Sequence, residues 1–409
     1  MTITLTVKAR LRFEDPGCAD SVSRTMEQYR LACNHVSQHI FDSGFPLNYY
    51  RLHDELYHSL RPMFGLKAQM TQSCIKTVIA RYKAVRTQLA RKPAKYDSGE
   101  THADGRRKYV YVPKTLEWLR EPVRFSRPQL SLDRGRDYSF KKGGVLSLLT
   151  LDGRVSLKIT YKGFDAYLDG AWKFGEAKVI RSGGNWFLHI SVSKEADSID
   201  SGQSEQVVGI DRGVNNIATS YDYDGKTAFF SGTQVLRKRK HYKELRSSLQ
   251  SRNTKSSKRR VRSLGQKENR WMDDVNHVIS KTLVGRYEPN TLFVIEDLTD
   301  VRFATEKSHK DSRYENASWA FYDLEQKLEY KAMLKGSSVK KADARYTSQR
   351  CPKCGRINAD NRDHASHLYA CDVCGYKSND DRLAGMNLCE LGRRHVMEGD
   401  ESPGFAKHA

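Results

Sequence analysis

The chain has 409 residues, enough for two or three domains with hydrophobic cores of their own. Its composition, 38% hydrophobic and 29% charged, excludes an integral membrane protein and a globally disordered chain. A net charge of +21 favours a polyanionic partner over a basic but otherwise ordinary enzyme. The N-terminus alternates like a strand and lacks the apolar block of a signal peptide, so we expect a cytoplasmic protein.

The N-terminal half begins with a strand, continues with helices and ends with further strands. Residues 1–13 alternate between apolar and polar, and apolar residues at helical spacing then run through residues 14–95. The period returns to two between residues 96 and 195, with hairpin turns expected at Asp152-Gly153 and Gly183-Gly184. The sequence therefore predicts a β-rich, barrel-like domain of residues 1–13 and 96–195, which carries a helical insertion of residues 14–95.

After a polar, serine-rich linker, short apolar strands alternate with helices, as is typical of an α/β domain. VVGI leads into Asp211, and TLFVIEDL carries Glu296 near its end. One or two long helices are expected between these strands, over residues 236–290, and another helix over residues 319–336. We assign residues 205–345 to this domain.

Asp211 and Glu296 each follow an apolar strand, and such strands tend to pair inside a sheet. We therefore expect the two carboxylates to lie near each other, with a third at the start of the helix after the cysteine pairs. Close carboxylates repel unless a cation or a shared proton neutralises them, and Mg²⁺ or Mn²⁺ suits an all-oxygen site. Two such ions about 4 Å apart can activate a water for phosphodiester hydrolysis. The alternative is that each acid only caps a strand or turn.

Four cysteines in the pattern C-x₂-C-x₁₆-C-x₂-C, each pair followed by glycine, predict a structural Zn²⁺ site: Cys351, Cys354, Cys371 and Cys374. With four sulfur ligands the site has no open position, so we expect a zinc ribbon over residues 346–378 whose metal serves folding. His364 and His367 lie between the pairs and could compete as ligands, but the cysteines fit better. The scattered cysteines are expected to be small buried residues: Cys18, Cys33, Cys74 and Cys389.

Residues 237–270, RKRKHYKELRSSLQSRNTKSSKRRVRSLGQKENR, contain only two acidic residues. So many cations on helices repel one another unless phosphates lie nearby. We predict basic helices over residues 237–290 that contact a phosphate backbone through Arg237, Lys238, Arg239, Lys240, Lys258, Arg259, Arg260 and Arg262. A solvated charged face is the alternative.

Three motifs occur in a fixed order along the chain: GIDRG, FVIEDL, and paired cysteines followed by D-x-x-A-G-x-N. As an ordered set they resemble the split RuvC-like (RNase H fold) nuclease of TnpB and the compact type V CRISPR effectors. SWAFYDLEQKLEYKAMLKG and RYTSQRCPKCG match this family too, and the resemblance covers about residues 205–395. It implies a multidomain α/β chain: a RuvC-like nuclease with an inserted zinc ribbon, preceded by a β-barrel-like wedge domain with a helical recognition insertion. Residues 379–409 would hold the last nuclease motif and a tail.

The resemblance implies that Asp211, Glu296 and Asp381 are the catalytic triad, which binds Mg²⁺ or Mn²⁺. The last family motif usually reads Asp-x-Asn-Ala-Ala-x-Asn. Aligning it on Ala384 and Asn387 selects Asp381, with Asp380 as the alternative acid.

Two further positions bear on this site. Leu383 replaces the asparagine that the last motif usually contains, and the replacement bears on activity and metal affinity. Arg362 lies in the region where relatives place an arginine near the scissile phosphate, with a solvated loop arginine as the alternative.

The function implied is an RNA-guided DNA endonuclease with one RuvC-like site that hydrolyses both strands of a double-stranded target. Guide RNA pairing and a short adjacent DNA motif would select the target, in a prokaryotic cytoplasm and on the nucleoid when DNA is bound. An RNA-guided repressor with weak or no cleavage and an RNA-independent resolvase or transposase are the alternatives, but the presence of all three acids favours cleavage.

The sequence leaves open a transposon or CRISPR origin and a monomer or dimer. Candidate base-stacking residues in the N-terminal half, each with a core role as the alternative, are Tyr49, Tyr50, Tyr109, Tyr111 and Trp118.

Overall fold

The computed structural model describes residues 2–13, 15–103, 105–141, 145–160, 164–197, 200–298, 321–363, 365–399 and 404–405. The chain forms two compact units, Thr2–Glu195 and Ala196–Ala409. Each has hydrophobic clusters of its own, so the two are described separately.

The N-terminal unit combines three helices with a seven-stranded sheet. The helices are α1 (Pro16–Asp42), α2 (Tyr49–Phe64) and α3 (Ala68–Ala90). The strands are β1 (Thr2–Arg12), β2 (Ala94–Thr101), β3 (Arg107–Val112), β4 (Gln129–Leu132), β5 (Tyr138–Lys141), β6 (Val145–Thr150), β7 (Gly153–Thr160), β8 (Lys173–Ser182) and β9 (Asn185–Glu195). The sheet has the order β4-β8-β9-β1-β7-β6-β5 with antiparallel neighbours, and it is barrel-like as predicted. The opening strand β1 lies in its centre, while β2 and β3 form a separate hairpin.

Local sequence explains where several of these elements begin and end. Asp15 caps α1 by accepting a hydrogen bond from the Gly17 N–H, and a proline occupies the first turn. Gly183 and Gly184 both have positive φ, at 57° and 78°, as the tight turn between β8 and β9 requires. Both predicted hairpins are thus present, and the glycine turns fix which residues of the strands face each other.

The C-terminal unit is a five-stranded sheet between helices. Its strands are β10 (Gln206–Asp211), β11 (Asn216–Asp222), β12 (Thr227–Ser231), β13 (Thr291–Glu296) and β14 (Ser338–Ala342), in the order β12-β11-β10-β13-β14. Strands β10, β13 and β14 are parallel, whereas β11 and β12 are antiparallel to their neighbours. The helices are α4 (Thr233–Ser251), α5 (Lys255–Gly285), α6 (Phe321–Leu334) and α7 (Asp380–Glu398). The predicted helix of residues 319–336 is α6, although residues 319 and 320 lie outside the described ranges.

Alternate residues of β10 and β13 face opposite helical layers. Val208 and Phe293 pack with α5 and α6, whereas Val207 and Val294 pack with α7. A Cβ at Gly209 would lie 2.1 Å from the backbone oxygen of Gly385, so only glycine lets α7 approach β10 this closely. Within the described residues, no helix carries an apolar stretch long enough to cross a membrane.

A small three-stranded sheet lies between β14 and α7. It consists of β15 (Arg362–Asp363), β16 (Leu368–Ala370) and β17 (Lys377–Asn379), in that order. Because β17 runs directly into α7, the ribbon and the first turn of the last helix are one continuous piece of backbone.

Candidate nuclease site and zinc ribbon

The parallel pairing of β10 and β13 brings two of the predicted acids side by side. Ile210 lies opposite Ile295, so Asp211 and Glu296 both end their strands at the same edge of the sheet. Burial raises the pKa of Asp211 well above its ordinary value, and the negative charges of Glu296 and Asp381 raise it further. Burial also raises the pKa of Glu296, against a hydrogen bond from Thr347 that lowers it. The edge therefore disfavours negative charge until a cation or a proton arrives.

Asp381 joins this edge from the first turn of α7. Asn379 caps the helix by accepting from the Arg382 N–H, and the Nδ2 of Asn216, at the start of β11, donates to Asp381 Oδ2 at 2.8 Å. The structure thus brings the three predicted acids together. Their oxygens are not all within 4.8 Å of one another, a spacing that among the described residues is reached by the four ribbon cysteines. The three carboxylates suit a cation because they offer oxygen ligands and because a cation would relieve their mutual repulsion. They do not form a closed set of ligands around one point.

Asp380, the alternative acid, has a different set of partners. Its side chain is 0% exposed, and its Oδ2 accepts from both Nε and Nη2 of Arg362 at 2.8 Å. The same oxygen lies 3.4 Å from His367 Nδ1, and Oδ1 accepts from the Asp381 N–H at 2.9 Å. Because Asp380 is already paired with two ribbon residues, these contacts favour Asp381 over Asp380 as the third acid of the site.

Arg362 is a constrained side chain rather than a solvated one. It is paired with Asp380 and is 23% exposed, and its positive charge partly lowers the pKa of Asp211. It therefore lies close enough to influence the acids, which fits the region where the resemblance placed it. His364 lies outside the described residues, and His367 contacts Asp380 instead of the cysteines.

Sequence reasoning missed three residues that hold the acids. The guanidinium of Arg212, 1% exposed, donates to Glu325 Oε2 at 2.9 Å and to the backbone oxygen of Glu296. The Thr347 hydroxyl donates to Glu296 Oε1 at 2.5 Å, and Asn216 holds Asp381. For two of them the sequence offered a signal in their position: Arg212 directly follows the predicted acid Asp211, and Asn216 comes a short loop after it.

The departure at Leu383 has a structural explanation. Leu383 is fully buried and packs in one cluster with Tyr369, Cys351 and Cys371 of the ribbon. Asn387, one turn later, donates to the backbone oxygens of Thr347 and Arg350 at 2.7 and 2.8 Å. Leu383 thus packs α7 against the ribbon, whereas Asn387 holds the backbone at Thr347 and Arg350, just before the first ribbon cysteine.

The four ribbon cysteines form a compact sulfur cluster. Cys351 and Cys374 sulfurs are 3.6 Å apart, as are those of Cys354 and Cys371. Zinc about 2.3 Å from each of four sulfurs gives tetrahedron edges of about 3.8 Å, so the cluster could bind zinc with little rearrangement. Burial opposes ionisation of the Cys371 thiol, but the backbone N–H groups of Cys374 and Val373 and its neighbouring cysteines bring its pKa to about 7. Of the other cysteines, Cys18 is partly buried and three are buried: Cys33, Cys74 and Cys389.

The predicted basic helices are α4 and α5, which form a helical hairpin with a break at residues 252–254. Arg246 of α4 is paired with Glu268 of α5, so the helices lie side by side. Seven of the eight predicted phosphate contacts are exposed: Arg237, Lys238, Lys240, Lys258, Arg259, Arg260 and Arg262. The prediction for Arg239 is wrong, because this residue is 6% exposed and shares the buried face of α4 with Val235.

The candidate base-stacking residues lie in the N-terminal unit. Four of them are exposed and so have no core role, namely Tyr50, Tyr109, Tyr111 and Trp118, while Tyr49 is partly buried.

Comparison with known proteins finds two family models that match parts of this chain. Residues 189–306 match a family model described as "Probable transposase", and residues 321–388 match "Cas12f1-like, TNB domain". A TnpB-like protein of Methanocaldococcus jannaschii is 30% identical over 193 residues, which cover 45% of this chain and 68% of that protein. A CRISPR-associated endodeoxyribonuclease Cas12f1 of Sulfoacidibacillus thermotolerans is 24% identical over 366 residues, 84% of this chain and 81% of that protein.

A solved structure of the mini-RNA-guided endonuclease CRISPR-Cas_phi3 is similar in fold, with a TM-score of 0.51 at 11% identity. The match covers 98% of this chain and 94% of that one. At this identity the likeness concerns the fold alone. The sequence matches carry the assignment: the chain belongs to the family of TnpB and the compact type V CRISPR effectors.

Proposed function

We propose that the protein is an RNA-guided DNA endonuclease in which a single RuvC-like site, on an RNase H fold, cuts both strands of a double-stranded target. The observation that carries this proposal is the meeting of Asp211, Glu296 and Asp381 at the carboxyl edge of the β10–β13 pair. The sheet order, with two antiparallel strands beside three parallel ones, supports the RNase H assignment. The names of the relatives, an endodeoxyribonuclease and a TnpB-like protein, support the reaction class.

The three acids would hold Mg²⁺ or Mn²⁺, and such ions, when bound, supply an activated water and stabilise the leaving 3′ oxygen, so that a 5′ phosphate and a 3′ hydroxyl result. The chain itself fixes the donors. Thr347 and Asn216 each occupy one carboxylate oxygen by a hydrogen bond, which sets the rotation of Glu296 and Asp381. Arg212 joins the ends of the two strands and places a buried positive charge beside the acids.

The remaining surfaces divide the work of binding. The exposed cations of α4 and α5 would hold phosphate backbone, which requires no particular base sequence. Guide RNA would supply sequence recognition, and the N-terminal unit would read a short DNA motif beside the target. The zinc ribbon would be structural, and the protein would act in a prokaryotic cytoplasm, on the nucleoid when bound to DNA.

The test is purification of the full chain, sequencing of the RNA that copurifies and incubation with a plasmid that carries the matching sequence. We expect linear plasmid only with matching RNA and Mg²⁺, and a loss of roughly 10³-fold or more with Asp381→Asn. Asp360→Asn is the control, because Asp360 is an exposed ribbon acid. Cleavage without RNA would indicate a resolvase instead, and unchanged cleavage by Asp381→Asn would refute the assignment of the site.

A further inference from the structure

The β2–β3 hairpin is an exposed two-stranded sheet. Every residue of β3 is exposed, as are all residues of β2 except Ala94 and Ser98, which are partly exposed. Neither strand contributes to the hydrophobic core found in the described part of this unit. A lone two-stranded hairpin is only marginally stable in water, and a strand that reads YVYV gains little from facing solvent on both sides. These features indicate that a partner covers the hairpin.

One face of the hairpin combines aromatic rings with cations. Tyr109 and Tyr111 lie two residues apart on β3 and pair across the sheet with Asp97 and Lys95. They are 38% and 59% exposed, and the Lys95 ammonium lies 3.5 Å from the Tyr109 ring centroid. Arg107 continues the same face, 3.2 Å from Asp97. The opposite face carries Tyr96, Val110 and Val112, and its cation, Lys108, lies 2.7 Å from Glu100. Two rings that follow each other along one strand therefore occur only on the Tyr109–Tyr111 face of the hairpin.

The spacing of the two rings fits nucleic-acid bases. Residues two apart on a strand are separated by about 6.7 Å. Successive bases rise by about 3.4 Å, so a single base can enter between two such rings. Stacking on aromatic side chains tolerates any base, and neighbouring cations meet the phosphates. The charge of the segment agrees, with six cations against three acids between residues 92 and 114: Lys92, Lys95, Arg106, Arg107, Lys108 and Lys114 against Asp97, Glu100 and Asp104.

We propose that the Tyr109–Tyr111 face of this hairpin stacks with unpaired bases of the guide RNA. The inference rests on the proposed function, because guide RNA is the partner it names. RNA is favoured over the DNA strands because a hairpin without a core of its own requires a permanent partner, and target DNA is bound only transiently. The opposite face then remains available to solvent or to the rest of the complex.

The experiment uses the full chain with the RNA that copurifies. The variant is Tyr109→Ala with Tyr111→Ala, and Tyr109→Phe with Tyr111→Phe retains the rings. The matched control on the opposite face is Tyr96→Ala with Val110→Ala. RNA per protein is measured after a salt wash, and ultraviolet crosslinks are mapped by peptide mass spectrometry, with circular dichroism as the check on folding.

We expect crosslinks at residue 109 or 111, and RNA occupancy reduced roughly tenfold in the alanine variant but retained in the phenylalanine variant and in the control. Equal occupancy and an equal RNA footprint in the alanine variant would overturn the inference while leaving the proposed function intact. Equal losses on both faces, or in the phenylalanine variant, would also overturn it. Wild-type protein without RNA would refute the proposed function, and crosslinks at these tyrosines to DNA or to protein would assign the face to another partner.

Discussion

The four-cysteine ribbon and the carboxylate site are two sets of candidate metal ligands that the chain assembles in different ways. The ribbon sulfurs come from one short segment and lie within 4.8 Å of one another. The acids come from β10, β13 and α7, which the chain brings together over 170 residues, from Asp211 to Asp381. A closed set of four thiolates suits a permanent structural ion, whereas spread and mutually repelling carboxylates suit ions that arrive with phosphate. Loss of metal should therefore unfold the ribbon, whereas at the carboxylate site it should abolish cleavage without unfolding the chain.

The largest effect is expected in the ribbon. Cys371→Ser removes one of the four expected zinc ligands, and structural zinc contributes about 10–16 kcal/mol of binding free energy in zinc-finger peptides. We expect bound zinc to fall from one ion per chain to nearly none, and proteolysis to begin within residues 346–378. Metal analysis and limited proteolysis measure both. Cys18→Ser, outside the cluster, should keep its zinc; a Cys371→Ser protein with full zinc would contradict the assignment of the ligands.

Asp211→Asn should separate activity from stability. Cleavage should fall by roughly 10³-fold or more, because the proposed catalytic ions would lose a ligand. The melting temperature without added Mg²⁺ should rise, since burial and two neighbouring acids raise the pKa of Asp211 and ionisation there costs folding free energy. Zinc content should not change. A lower melting temperature would show that the carboxylate contributes to stability, as the ribbon ligands do.

Asp380→Asn tests the connection between the two sites. The change removes the charge that faces Arg362, and we expect unfolding to cost about 2 kcal/mol less, below the roughly 3–5 kcal/mol of a fully buried pair because Arg362 is 23% exposed. Cleavage should fall by roughly 10–100-fold, as for residues that orient metal ligands. Denaturant unfolding and cleavage rates measure the two effects. A loss as large as that of Asp211→Asn would instead make Asp380 a direct ligand.

Sequence predicted the features that depend on local patterns. Cysteine spacing gave the ribbon, paired glycines gave the β8–β9 turn, and acids after apolar strands gave the edge where Asp211 and Glu296 meet. It could not supply the partners of Arg212 and Thr347, because Glu325 and Glu296 lie far from them along the chain. Such contacts exist only after the sheet and α6 have packed.

Arg239 shows a different kind of error. It lies four residues after Val235, and residues four apart share one face of a helix, so its burial was readable from spacing. The density of surrounding cations concealed that signal. In a helix with few apolar residues, composition alone does not show which cations face inward.

The carboxylate site should make the stability of the folded chain depend on pH. The pKa values of Asp211 and Glu296 are raised, so the folded chain keeps protons that the unfolded chain releases near pH 4. The stability that this adds is fully present below about pH 4 and is lost as pH rises through the raised values. Without added Mg²⁺ the melting temperature should fall over that range, and millimolar Mg²⁺ should reduce the fall. Asp211→Asn is the control that flattens the curve, and an equally steep fall in that variant would mean that the buried carboxyl is not its cause.

The smallest effect concerns how phosphate reaches the carboxylate site. Along the chain, α4 and α5 lie between the strand that ends in Asp211 and the strand that ends in Glu296. We expect their exposed cations to set the salt dependence of nucleic-acid binding. Each lost phosphate contact lowers the slope of log affinity against log salt by about 0.7–0.9. Lys240→Gln should show this reduction, whereas its buried neighbour Arg239 should show none when changed to glutamine, because it does not reach solvent. Binding titrations over a range of salt concentrations measure the slopes, and equal slopes for the two variants would mean that exposure does not decide which cations meet phosphate.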